Sequence, residues 1–136
     1  MDRSTYHPLV EYCMRSFALP ATSAGIGGTL SLLVDDIYRI QLVPLESGWV
    51  GVKSRLCALP MPGIERDVLL RRCGKFAMSM LRGTAAGMAV DPNEESLHLQ
   101  QMLRPDCPRE SMPEVLGAYL NALAKWRSFI SAGEGS

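Results

Sequence analysis

The chain has 136 residues, of which 47% are apolar and 21% charged, and its 14 basic side chains are balanced by 14 acidic ones. That length suits one domain with a real core, and the composition excludes a disordered or fibrous chain. A net charge of zero leaves no overall field to recruit nucleic acid or an anionic membrane.

The opening residues, Met1 to Pro8, lack the apolar core of a signal peptide. No run approaches the roughly 18 apolar residues of a membrane-spanning helix, and the longest candidate, Ile26 to Val34, is broken by glycine. The expectation is a single cytosolic domain over 1–136, with about 1–7 and 131–136 flexible. A first helix is expected from about Pro8 to Phe17, because proline suits the first turn and Leu9, Val10, Cys13, Met14 and Phe17 share a face. Pro20 and the run Gly25-Ile26-Gly27-Gly28 then form a connection. The glycine run lacks the Lys-Ser/Thr of a phosphate loop and leads into a strand rather than a helix.

Three strands follow. Leu30, Leu32 and Val34 alternate before a turn at Asp35-Asp36; Tyr38, Ile40 and Leu42 alternate before a looser connection from Pro44 to Gly48. Trp49 opens the third, where Val50, Val52, Leu56 and Ala58 alternate only in part. This is an antiparallel meander with one apolar face. Adjacent turn carboxylates diverge, so Asp35 and Asp36 serve the turn rather than acid–base chemistry.

Pro60 to Gly63 break the sheet, and a helix is expected from about Glu65 to Leu81. Leu69, Cys73, Phe76 and Met80 make one stripe; Leu70, Ala77, Leu81 and Gly74 widen it to roughly 160°, against about 100° for a helix on one sheet. The surplus points to a second burial surface and a symmetric dimer. A central helix covered by the chain's own last helix is the alternative. Arg66, Arg71, Arg72, Lys75 and Arg82 form a basic run, ordinarily a solvated face. Aromatic stacking platforms for nucleic acid are missing, so an acidic or amphipathic protein is the partner that would fit. Met78, one of eight methionines, falls near that basic face, where core packing does not explain it.

Met88 and Val90, then Leu97 and Leu99, alternate on either side of an Asp91-to-Glu95 turn. The turn spaces acidic groups like part of a calcium loop but lacks its glycine and distal glutamate. The last helix carries Met112, Val115, Leu116, Tyr119, Leu120, Leu123, Trp126 and Ile130, and Ser111-x-x-Glu114 has capping-box spacing. The fold class is α+β, a twisted antiparallel sheet with helices in the order α-β-β-β-α-β-β-α.

Chemistry is sparse. Cys13, Cys57, Cys73 and Cys107 are far apart and read as buried, reduced thiols, not as zinc ligands. His7 and His98 read as surface or structural groups, His98 out of phase with Leu97 and Leu99. Neither has a nucleophile and carboxylate in recognisable spacing. No catalytic residue, metal or cofactor is expected, and the chain does not read as an enzyme.

The element order resembles the type III secretion chaperones of the Tir-chaperone (CesT-like) family. The resemblance is carried by Leu30-Ser31-Leu32-Leu33-Val34-Asp35-Asp36, the helix Val68 to Leu81, Gly87-Met88-Ala89-Val90-Asp91-Pro92, Ser96-Leu97-His98-Leu99 and the helix ending near Ala124-Lys125-Trp126. It spans about Leu9 to Ile130. It implies a small, non-enzymatic, homodimeric chaperone of the bacterial cytoplasm. Such a protein binds an extended N-proximal segment of secreted effector proteins, keeps them export-competent and helps deliver them to the secretion ATPase. By matching position it assigns partner binding to Leu9, Cys13, Leu32, Val34, Ile40, Leu42, Val50 and Val52. Dimerisation falls to Leu70, Gly74, Ala77, Met88 and Val90. The family tends to be acidic, whereas this chain is neutral with a basic second helix. A small-molecule-binding or sensory module, with a closed pocket in a monomer, is the competing class. A small hydrolase would need His98 clustered with a carboxylate and a nucleophile.

Overall fold

A computed structural model describes residues 7–16, 28–35, 37–91, 93 and 95–134. Phe17, Pro20, Ile26 and most of the glycine run, together with Asp36, Pro92 and Glu94, lie outside the described residues. The elements are α1 (Pro8–Ser16), β1 (Leu30–Val34), β2 (Tyr38–Pro44), β3 (Val50–Ala58), α2 (Ile64–Met80), β4 (Gly87–Asp91), β5 (Ser96–Leu103) and α3 (Met112–Glu134). That is the expected order; α1 and α2 begin and end within a residue of the limits read from periodicity, whereas α3 continues four residues past Ile130, to Glu134, into the stretch read as tail.

The five strands form one antiparallel sheet in the order β1-β2-β3-β5-β4. Register explains the core. Leu30 faces Leu42, Leu32 faces Ile40, Leu42 faces Val52 and Val50 faces Leu103, so one sheet face is a continuous aliphatic surface. Leu9, Val10, Cys13 and Met14 of α1 join this core, as do Met112, Leu116, Tyr119, Leu123, Trp126 and Ile130 of α3. Fully burying each such side chain stabilises the fold by roughly 1.5–3 kcal/mol relative to exposure. Tyr119 Oη donates to the Leu99 carbonyl at 2.7 Å, satisfying the one polar atom it takes into the core.

The partial alternation in β3 has a physical cause. Register shifts between Arg55 and Cys57, a bulge that makes Leu56 the extra residue and changes the phase beyond it. The β1–β2 loop holds Asp35 at φ 55°, and the β4–β5 turn holds Glu95 at φ 50°, with Asn93 N–H donating to Asp91 Oδ1 at 2.9 Å. The capping box at Ser111 does not form as expected. A 3-10 turn over Arg109–Ser111 precedes α3, and the Ser111 hydroxyl donates instead to the Pro108 carbonyl at 2.7 Å.

Helix α1 is fastened at its start by His7. The Leu9 N–H donates to Nδ1 at 3.1 Å, and Nε2 donates to the Gly48 carbonyl at 2.7 Å, which selects the Nε2-protonated tautomer. Gly48 sits at φ +84°, and a Cβ there would stand 3.2 Å from Pro105, so the loop joining β2 and β3 needs glycine at this point.

Of the four cysteines, Cys13 and Cys73 are buried and Cys57 and Cys107 half-buried. Burial pushes the Cys13 thiol from 9.0 up to about 11. The folded state therefore keeps this proton where the unfolded chain releases it, so its contribution is complete below pH 9 and is lost as pH rises toward 11. Between pH 7 and 10.5 the wild type should lose about 2 kcal/mol more stability than Cys13→Ala, measured by urea unfolding. Parallel pH profiles for the two proteins would contradict that environment.

Candidate partner-binding surfaces

The residues assigned to the partner by resemblance fall where α1 meets the first three strands. Leu9, Cys13, Leu32, Ile40, Leu42, Val50 and Val52 are each 5% exposed or less, and Val34 is half-buried at the end of β1. Which strand face packs inward was undecided by alternation alone; the register gives this set to the core. With α1 in place these side chains are covered, and what stays open is the rim of the layer.

Exposed apolar groups lie on that rim. Leu33 and Ile37 stand 54% and 61% exposed at the β1–β2 hairpin end. Leu45 and Met102 are exposed beside Trp49, where they line a shallow apolar hollow. Leu33 gave a usable signal, as a leucine out of phase in Leu-Ser-Leu-Leu-Val. Ile37 had one too, an aliphatic residue in a turn.

Helix α2 splits lengthwise. Cys73 is its one buried apolar residue. Phe76 stacks on Phe129 with centroids 4.3 Å apart and meets Trp126 edge-on at 4.8 Å, so α3 covers one flank. The guanidinium of Arg72 lies over Phe129 at 4.9 Å, and Arg66 pairs with Glu95 at 3.1 Å. Along the other flank Leu70, Gly74 and Ala77 are half-buried while Met78 and Leu81 are 70% and 66% exposed. The chain's own last helix thus covers one side of the wide apolar arc and leaves the other open. Met88 is half-buried and Val90 exposed on β4, an edge strand.

His98 differs from a surface reading, being 8% exposed. Its Nε2 lies 2.9 Å from Ser96 Oγ and 3.9 Å from Asp91 Oδ2. A histidine, a hydroxyl and a carboxylate are therefore together, the cluster a hydrolase would require. The geometry is wrong for the relay: nucleophile and orienting carboxylate belong on opposite ring nitrogens, whereas Ser96 and Asp91 approach the same one. Among the described residues no three His, Cys, Asp or Glu side chains converge as metal ligands. No helix among them is long and apolar enough to cross a membrane.

An open groove of about 700 Å³ is bounded by the β1–β2 hairpin, β2, β3 and the last turns of α3. Its lining is largely polar, unlike the closed apolar pocket of a small-molecule module.

No protein-family model and no curated protein sequence matches the chain. Solved structures do resemble it. One is a chain of the HopA1-SchA chaperone-effector complex, 16% identical with a TM-score of 0.64, the match covering 94% of this chain and 98% of that one. A chain of the ExsC-ExsE complex is 19% identical with a TM-score of 0.67, covering 94% and 96%. A third match, at 20% identity and a TM-score of 0.59, covers 90% of this chain and 99% of that one. It comes from the structure of the Yersinia pestis type III secretion chaperone SycH in complex with a stable fragment of YscM2. The three-helix, five-strand architecture is the type III secretion chaperone fold.

Proposed function

We propose that a chain with this fold acts as a type III secretion chaperone. In this reading it is a homodimer of the bacterial cytoplasm that binds an extended N-proximal segment of one or more effector proteins. It keeps them export-competent and assists their delivery to the secretion apparatus, with the secretion ATPase as a further partner. The observation that carries the reading is the likeness, over nine tenths or more of both chains, to proteins solved with a bound partner.

Surface chemistry supports it. The partner segment would run along α1 and the first three strands, with Leu33, Ile37, Leu45 and Met102 making contact around the buried set already named. The dimer would close over Leu70, Gly74, Ala77, Met88 and Val90. Gly74 favours that assignment. Glycine inside a helix costs about 0.5–1 kcal/mol relative to alanine, yet a Cβ at this position would meet nothing within 4 Å of the single chain. Close approach of a second chain gives the missing side chain a use.

Co-purification from the native host tests the function. One stoichiometric secreted protein bound through a protease-protected extended segment is the expected result; recovery of only a bound metabolite would overturn it. Light scattering tests the dimer, with twice the chain mass expected at micromolar concentration and monomer mass counting against the interface.

A further inference from the structure

We propose that the open groove is a dock for an acidic stretch of the protein partner, a feature that neither the fold nor the net charge announces. Four of its described lining residues are cations, Arg39, Lys53, Arg55 and Arg127, and no carboxylate is among the described ones. Register explains the convergence: Gln41 faces Lys53 across β2 and β3, which places Arg39 and Arg55 on the same sheet face one step further along. Arg127 arrives from α3 with its guanidinium over the Tyr38 ring at 5.6 Å.

Proteins rarely gather cations without counter-charges, because like charges side by side destabilise the sheet that carries them. Here, among the described residues, no carboxylate comes within ion-pair distance of any of the four. By contrast Arg15, Arg66, Arg104 and Arg109 each have one. Arg127 Nε is moreover buried without a hydrogen-bond acceptor. A buried charged donor left unsatisfied is costly, and a carboxylate docked against the same guanidinium would offset its charge. Since the whole chain is neutral, the groove's positive charge is a local feature of the surface rather than part of an overall field.

The occupant is an extended peptide rather than nucleic acid. Exposed Leu33 and Ile37 border the cations, so the groove offers apolar and cationic positions side by side, which suits alternating acidic and aliphatic residues. A single-stranded nucleic acid would need aromatic platforms; no Phe, Tyr or Trp is among the described lining residues, and the Tyr38 ring beside the groove's Arg127 is covered by that guanidinium. That the peptide belongs to a secreted protein rests on the chaperone reading; the acidic preference of the groove does not.

The test uses the full chain and a fluorescein-labelled peptide of a dozen residues alternating glutamate with valine. Its glutamine counterpart and a dozen-residue oligothymidylate are the comparisons. The glutamate peptide should bind more tightly than the glutamine peptide and weaken as salt is added. Arg39→Gln with Arg55→Gln, both solvent-exposed positions, should weaken it by about three- to tenfold with the melting temperature little changed. Equal affinity for the two peptides overturns the inference, as does preference for the oligothymidylate or indifference to the double variant. If the double variant fails to fold, the peptide comparison on the wild type still decides. Secreted-protein capture unaffected by the double variant removes the groove and keeps the chaperone; acidic-peptide binding without any secreted partner does the reverse.

Discussion

Replacing Trp126 with alanine should lower stability by about 3–5 kcal/mol, a large share of the roughly 5–15 kcal/mol that holds a domain of this size together. Trp126 is 1% exposed and lies where α3, the sheet and α2 meet. Its removal leaves a void that rigid neighbours cannot fill. Phe76 loses its edge-on contact at 4.8 Å, and Phe129 loses one at 6.3 Å. Because Phe76 and Cys73 provide much of the seat of α2 on the rest of the molecule, the damage reaches the flank that the second chain would cover. Trp126→Phe separates volume from polarity. The indole Nε1 is buried without a hydrogen-bond acceptor, so phenylalanine removes an unsatisfied donor as well as some volume. That variant should cost less than about 1.5 kcal/mol. Urea unfolding measures both; an alanine variant within about 1 kcal/mol of wild type would sink this account of the core.

Gly74→Glu carries the second large effect, on assembly rather than folding. In the single chain nothing lies within 4 Å of the new Cβ, and glutamate is a better helix former than glycine, so the monomer should fold at least as well. In a two-fold dimer the substitution occurs twice, each time placing a carboxylate into an apolar contact. The dissociation constant should rise by about a thousandfold, corresponding to about 2 kcal/mol for each copy. Sedimentation velocity at micromolar concentration should then show a monomer with native circular dichroism. A dimer of unchanged affinity would place the interface elsewhere, and Gly74→Ala, intermediate in size, should weaken association less than the glutamate.

Legibility in the sequence followed the strength of periodicity. Leu30/Leu32, Ile40/Leu42 and Val50/Val52 each mark an inward face, and that pattern was enough for strand order along the chain. It could not distinguish a face buried by α1 from one awaiting a partner, because both demand the same aliphatic residues. The β3 bulge was visible as a faltering alternation around Leu56 but had no local signature. The His98 environment was hidden for a different reason: β5 is a central strand, and its polar-phase residues Ser96 and His98 are buried as well. Alternation reports one burial surface, and β5 has two. The cationic groove was not legible at all, since Arg39, Lys53, Arg55 and Arg127 come from three elements and the chain sums to zero.

Strand order carries a consequence for how the chain acquires its shape. β1, β2 and β3 pair through short loops, and β4 with β5 likewise, but the two groups share a single seam in which Val50 meets Leu103 and Ala58 meets Ser96. Closing that seam costs the most chain entropy, because the whole of α2 lies in the intervening loop. During synthesis the meander emerges first and presents the bare edge of β3 until β5 leaves the ribosome, a window in which any exposed strand can pair with it. In refolding, amide protection along β3 and β5 should therefore lag behind that of the β1–β2 hairpin, as pulsed hydrogen exchange would show. A protein proposed to shelter the unfolded segments of others passes through its own brief need of shelter.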